Sequence, residues 1–180
     1  MWRLTIMISK ILAAAIVMAL GAGAVAAQAA PAAVADLKRA DGVSAGSVSL
    51  NQGSKGVMIH ITASGLTPGW HAVHFHDTGA CSAPDFKSAG GHVHAMATHV
   101  HGLLNPDGNE AGDLPNIFIA GDGTGSAEFF SATVSLDGHE GLPALLDKDG
   151  SALVIHAGPD DFVSQPIGGA GARVACGVIR

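Results

Sequence analysis

The chain of 180 residues is short of cysteine, of basic charge and of long apolar runs, and each shortage removes a class of protein. Its two cysteines, Cys81 and Cys176, make no CxxC pair, which speaks against a thiolate metal site. Beyond an N-terminal stretch ending near Ala27, no apolar run reaches the length needed to cross a membrane. No segment sustains a hydrophobic period near 3.6, so an amphipathic helical fold is excluded. Nine Lys and Arg stand against 15 Asp and Glu, and a net negative chain is a poor partner for nucleic acid. Heptads, internal repeats and low-complexity tracts past the N-terminus are missing as well.

What is present begins with a leader. Arg3 and Lys10 precede the apolar run Ile11 to Ala27, and Ala27-Gln28-Ala29 puts small residues around a cleavage point, so residues 1–29 read as an export signal. The run is short and rich in Ala and Gly, unlike an anchor, and no cysteine lies near the cut to carry a lipid. Residues 30–180 remain, enough for one domain with one core. The expected location is outside the cytoplasm, periplasmic or secreted, with no membrane attachment after cleavage. Arg3 and Lys10 leave with the leader, so seven bases face 15 acids and the net charge falls to −8. In an oxidising compartment Cys81 and Cys176 pair, closing a loop of about 95 residues with a typical gain of ~2 to 4 kcal/mol. Two free thiols or a thiolate ligand pair are the other reading.

From Val34 onward, short apolar stretches alternate with Gly, Pro, Asn and Asp, an all-β pattern. Strands are expected at Ala35–Arg39, Gly46–Asn51, Gly56–Ala63, Gly69–His76, Asn116–Ala120, Ser126–Val134, Ala152–Ala157 and Arg173–Ile179. Such spacing suits a two-sheet sandwich or flattened barrel with Greek-key connections. Asp77–Pro115 and Gly158–Gly171 are too long to be turns, and loops of that length in a small domain are usually functional.

Seven of the ten histidines fall between residues 71 and 101. On a strand, residues two apart share a side, so His74 and His76 face together while His71, Val73 and Phe75 face the other way. Two imidazoles about 7 Å apart along the backbone can converge on one ion. Ala152, Val154 and His156 share a side in the same manner, which offers a third imidazole from a different strand. His92, His94, His99 and His101 crowd into the first long loop, with Asp113 a little further on. His60, alternating with Met58 and Thr62, reads as a strand-surface residue, and His139, beside Asp137 and Gly138, as a solvated turn residue.

Together these blocks resemble one family. Gly69-Trp70-His71-Ala72-Val73-His74-Phe75-His76 with Gly79-Ala80-Cys81 is similar to the copper-ligand strand of the copper,zinc superoxide dismutases, bacterial type. Ser88-Ala89-Gly90-Gly91-His92 resembles the approach to their metal-bridging histidine. His101-Gly102-Leu103-Leu104-Asn105-Pro106, with Gly112-Asp113-Leu114-Pro115-Asn116, resembles their zinc loop. Ala152-Leu153-Val154-Ile155-His156 with Asp160-Asp161, and Gly171-Ala172-Arg173-Val174-Ala175-Cys176-Gly177-Val178-Ile179, resemble the last copper ligand and the C-terminal signature. The resemblance implies an eight-stranded Greek-key β-barrel with two long functional loops. It implies copper on His74, His76, His92 and His156, with His92 as the imidazolate that joins copper to zinc. It further implies a Cys81–Cys176 disulfide pinning the metal loop to the strand of Arg173, and Arg173 as the clamp for the superoxide anion. Asp160 would bind the second ring nitrogens of one copper and one zinc ligand, and His71 would support the site without touching metal. A homodimer is left open, since bacterial relatives include dimers and monomers.

The zinc half-site departs from the pattern. His101 stands one residue further from His92 than the family spacing, and Glu110 occupies the place of a histidine ahead of Gly112-Asp113. Zinc accepts carboxylate and imidazole alike, so His92, His101, Glu110 and Asp113 form one candidate set. Substitution by His94 or His99, both foreign to the pattern, is a second reading, and a weak or empty zinc site is a third. The Gly158–Gly171 loop also lacks the lysine that assists substrate guidance in some members. Disproportionation of superoxide is the expected activity, and a secreted copper-buffering module on the same fold is the alternative. Retention of Arg173 and Asp160 favours the enzyme, because storage requires neither.

Overall fold

Val57, Ile59, Ile61 and Ala63 alternate with Met58, His60 and Thr62, and in the computed structural model, which describes residues 32–180, the first set is buried and the second exposed. The leader expected over residues 1–29, and with it the start of the domain at residue 30, lies outside the described residues. Burial of each Ile or Leu of this kind contributes roughly 1.5 to 3 kcal/mol. The same alternation builds β1 (Ala33–Arg39), β2 (Ser44–Gly53) and β3 (Gly56–Ala63). They are followed by β4 (Gly69–His71), β5 (Val73–His76), β6 (Ile117–Ile119), β7 (Gly125–Ser131), β8 (Ala152–His156) and β9 (Arg173–Val178). His60 is exposed on β3, and His139 is exposed in a short 3-10 turn at His139–Gly141.

Seven strands form one antiparallel sheet in the order β5-β8-β9-β1-β2-β3-β7, and β4 pairs with β6 in a second. β3 pairs with β7 rather than with β4, its successor in the chain, the long-range return of a Greek key. The two sheets meet twice: β4 runs into β5 through Ala72, and β6 turns into β7 at residues 120–124. The result is a curled, nearly all-β barrel.

The stretch Gly69–His76, expected as one strand, is two. At Ala72 the chain stops pairing with β6 and starts pairing with β8: the Ala72 amide donates to Gly158 O (2.8 Å) and its carbonyl accepts from the His156 amide (2.9 Å). Counted as one interrupted strand, β4 and β5 restore the expected eight. β7 also ends earlier than expected, at Ser131, where its pairing with β3 runs out at Val57, and the Thr133 hydroxyl beyond it donates to Ala111 O.

Two buried clusters flank β8. Leu153 and Ile155 point into the main core with Leu37, Ile59, Phe75 and Ile117. Ala152 and Val154 point to the outer face, where Phe86, Ala89, Cys176 and the half-buried Cys81 cover them. Phe86 and Ala89 belong to the first long loop, so this smaller cluster fastens the loop to the barrel wall. The outer face of β5 and β8 beneath that loop is where His74, His76 and His156 emerge.

Candidate metal centre

β5 lies at the edge of its sheet, and the first long loop uses its free edge. The Val93 amide donates to Phe75 O (2.9 Å), the Phe75 amide to Gly112 O (2.9 Å), and the Gly112 amide to Val93 O (2.8 Å). Isolated bridges His76 with His92 and His74 with Asp113 follow from this strapping. It carries two loop residues 21 positions apart, His92 and Asp113, to the side chains of β5. On the other flank, β8 shifts register against β9 between Ile155 and His156, an irregularity that re-aims the last residue of the strand. His156 thereby comes within 4.9 Å of the His74 ring and 5.7 Å of the His76 ring, centroid to centroid.

Among the described residues, four buried side-chain nitrogens lack any hydrogen-bond partner: His74 Nδ1, His76 Nε2, His92 Nε2 and His156 Nε2. These four residues bring donor atoms within 4.8 Å of one another. Three of the four rings are oriented from behind through the other nitrogen by a single acceptor: His74 Nε2 to Asp160 Oδ2 (2.9 Å), His76 Nδ1 to Gly90 O (3.1 Å), and His156 Nδ1 to Gly171 O (3.1 Å). Acceptors at one nitrogen fix the tautomer and leave a lone pair on the other, the arrangement metal-binding histidines require. Burial keeps the rings of His74, His76 and His156 neutral. It pushes His76 down to about 2 and His156 to about 3, and lowers His74 against the pull of Asp160. Four orphaned lone pairs converging in a buried space are a fit for one ion of nitrogen preference.

Beside them a second donor set shares His92. Its Nδ1 faces Glu110 Oε2 (2.8 Å) and Asp113 Oδ1 (3.1 Å), and His101 Nδ1 faces the same two oxygens at 3.1 and 2.9 Å. Asp113 Oδ2 is held by the Gly102 amide (2.7 Å), which leaves Oδ1 for the site. His74, His92, His101 and Asp113 also bring donors within 4.8 Å. His74, however, has one nitrogen on Asp160 and the other in the first set, whereas Glu110 Oε2 touches both Nδ1 atoms of the second. Two imidazoles and two carboxylates suit zinc. Burial opposes protonation of His101 and His92, but hydrogen bonds to Asp113, Asp160 and Glu110 overcome it, raising His92 and taking His101 up to about 11. Those partners hold Asp113 and Glu110 well below the usual carboxylate range despite burial.

Asp160 spans the two sets, with Oδ2 on His74 and Oδ1 on His101 Nε2 (3.0 Å). Its backbone is clamped by Asn116 at 2.9 Å in both directions. Asp161, its neighbour, is exposed. His71 is buried, with Nδ1 donating to His156 O (2.6 Å) and Nε2 lying 2.8 Å from Thr67 O, so it braces a donor residue from outside the donor sets. Arg173 pairs with His156 across β8 and β9, half-buried, and donates to Phe86 O (2.7 Å) and Gly90 O (2.6 Å). Burial lowers its affinity for the proton, yet a guanidinium stays charged at any ordinary pH. Cys81 and Cys176 are joined, with Cα atoms 5.7 Å apart.

His94 and His99 stand apart from both donor sets. His94 Nδ1 donates to His92 O (2.9 Å), and its ring stacks on His99, centroids 4.2 Å apart. Between His92 and His101 the chain runs through the exposed stretch 95–99. Sequence reasoning missed the carbonyls of Phe86, Gly90 and Gly171, which no side-chain type announces. It also missed Gln165, which clamps the His101 backbone through Oε1 (3.0 Å) and Nε2 (2.8 Å), and Gly168, whose bareness makes room for Asp160.

A Greek-key barrel carrying a histidine cage and an adjoining imidazole–carboxylate cage on one shared ring is a two-metal β-barrel protein. The profile described as "Copper/zinc superoxide dismutase (SODC)" matches residues 44–179. The chain is 62% identical over 148 residues to a "Superoxide dismutase [Cu-Zn]" of Caulobacter vibrioides, covering 82% of this chain and 85% of that one. It is 44% identical over 147 residues to "Superoxide dismutase [Cu-Zn] 2" of Aquifex aeolicus, covering 81% and 85%. Among solved structures, a SOD-like protein from Bacillus subtilis superposes with a TM-score of 0.75 at 37% identity, over 81% of this chain and 96% of that one. The Cu/Zn superoxide dismutase from Brucella abortus gives 0.63 at 30%, over 82% and 98%. The chain belongs to the copper/zinc superoxide dismutase family. Its activity is the disproportionation of superoxide, and its cofactors are copper and zinc.

Proposed function

We propose that copper is held by His74 Nδ1 and by Nε2 of His76, His92 and His156, and that zinc is held by His92, His101, Asp113 and Glu110. The observation that carries the first assignment is the set of four unpartnered buried nitrogens. Support for Glu110 over His94 or His99 is the approach of Oε2 to both Nδ1 atoms of the half-site. Copper when bound supplies reversible one-electron transfer, so two superoxide anions and two protons become dioxygen and hydrogen peroxide.

The chain's own residues do the rest. Two N–H groups of Arg173 are spent on Phe86 O and Gly90 O, and the remaining donors of its five are free for an anion. With the leader removed and a net charge of −8, this fixed cation offsets the average repulsion of superoxide. His92 Nε2, when it is not engaged as a donor to copper, is the atom that would take up a proton and pass it to the departing peroxide. Its ring stays in place meanwhile, because Nδ1 is gripped from the other side. Asp160 and Gly90 keep His74 and His76 in their working tautomers.

The test is a superoxide disproportionation assay on copper-loaded protein, with metal measured on the same sample and Arg173→Ala alongside. The variant should lose roughly ten- to hundredfold in rate at unchanged copper content; equal rates would remove Arg173 from the scheme. Stoichiometric copper without turnover in the parent protein would return the buffering module, which no feature of the site otherwise favours.

The same proposal places the protein outside the cytoplasm, periplasmic or secreted, cut after residue 29, a reading supported by the Cys81–Cys176 disulfide. N-terminal sequencing of protein from a periplasmic extract should begin at Ala30. Among the described residues no helix is long and apolar enough to cross a membrane. The homodimer left open by the resemblance has an apolar face to use, since Trp70 and Phe118 are more than half exposed with ring centroids 5.1 Å apart. Sedimentation at micromolar concentration decides between monomer and dimer.

A further inference from the structure

Three residues of this chain are foreign to the family pattern at the zinc loop, Glu110, His94 and His99, and the fold brings all three into one chain of contacts. Glu110 is its hub. Oε2 faces the half-site, 2.8 Å from His92 Nδ1 and 3.1 Å from His101 Nδ1, while Oε1 turns outward to lie 3.7 Å from His99 Nε2. The His99 ring stacks on His94 at 4.2 Å with 24° between the planes, and His94 Nδ1 donates to His92 O at 2.9 Å. An isolated bridge between His94 and Glu110 ties the two backbones together. Among the described residues, His99 is the one side chain paired with Glu110 Oε1.

The chemistry of the substitution gives this chain of contacts a purpose. A histidine ligand has two side-chain torsions and a rigid ring, and its second nitrogen is normally bonded from behind. Glutamate has one more torsion to freeze, and its second oxygen is free to turn into the site or out of it. A partner on Oε1 restores what the ring would have supplied. At 3.7 Å the pair is too long for a hydrogen bond; it is a polar contact made by a partly exposed His99 whose ring is stacked on His94.

We propose that His99, braced by His94, is a positioning residue for Glu110, holding the carboxylate so that Oε2 alone enters the zinc half-site. The inference rests on Glu110 being a zinc ligand, and the test separates the two. Zinc affinity is measured on copper-loaded protein by competition with a chromophoric chelator, and the half-site is read independently from the visible spectrum after cobalt(II) substitution. His99→Ala should weaken zinc roughly tenfold and alter the cobalt spectrum while copper content stays constant. His99→Gln, whose amide can reach Oε1, should recover most of the loss. If Glu110→Ala sheds zinc but His99→Ala matches the parent, the positioning role is wrong and the ligand reading stands. If Glu110→Ala keeps zinc at parental affinity, the ligand reading fails and the positioning role with it. If His99→Ala sheds zinc as fully as Glu110→Ala and His99→Gln restores nothing, His99 is itself a ligand and the proposal is overturned. Should His99→Ala not fold, His99→Phe keeps the stack, removes the nitrogen and carries the same expectation.

Discussion

Gly168 shows how far a donor set depends on residues that donate nothing. A Cβ built there would overlap Asp160 Oδ1 and lies 3.0 Å from His101 Nε2, at a backbone φ of +59° that already suits glycine. Gly168→Ala should therefore displace the carboxylate that orients His74 and His101, weakening metal retention by roughly 10- to 100-fold with both donor sets chemically intact. Dialysis against a chelator followed by metal analysis reads this directly, and full retention of copper and zinc would mean that the loop yields instead. At this scale the sequence was legible where chemistry resides in a side-chain type. His74, His76, His92, His101, Asp113, His156 and Asp160 are all brought together by the fold. It was mute where chemistry resides in a carbonyl, as at Gly90, Phe86 and Gly171, or in a missing atom, as at Gly168.

The loop from Cys81 to Gly90 is the element that fixes the Arg173 guanidinium in place. Its Phe86 and Gly90 carbonyls hold the guanidinium, its Phe86 and Ala89 side chains pack on β8, and its first residue is bonded to Cys176 on β9. Replacing both cysteines by serine should lower stability by ~2 to 5 kcal/mol, or roughly 5 to 20 °C in the melting temperature of a domain this size. The activity of the folded remainder should fall further than its copper content, because the loop that aims Arg173 loosens before the histidine cage does. Parallel loss of copper and activity would show the loop and the cage to be one unit. Strand positions were legible from alternation, as β3 illustrates. The break at Ala72 was not, because a strand that changes partners keeps its side-chain alternation on both sides of the change, and partners are a property of the whole sheet.

Across the whole molecule, the lowered imidazoles of His76 and His156 and the raised imidazole of His101 push stability in opposite directions with pH when metal is removed. His76 and His156 fall from 6.5 to about 2 and about 3, so the unfolded chain binds their protons first and stability declines as pH drops below 6.5. The lowered carboxyls of Asp113, Glu110 and Asp160 add to that acid limb. His101 rises from 6.5 to about 11, so its contribution is complete below 6.5 and is lost as pH climbs toward 11. Thermal unfolding of chelator-stripped protein should accordingly show a maximum in melting temperature near neutrality, with zinc flattening the alkaline limb; a monotonic profile would contradict the charge states assigned to one set. The Gly90 carbonyl, finally, serves two masters. It accepts from His76 Nδ1 and from Arg173 in the same place, so on the proposed assignment the grip on the incoming anion and the donor strength of the His76 ring are coupled through one atom. A variant that re-aims the guanidinium would then retune the His76 ring in the same step.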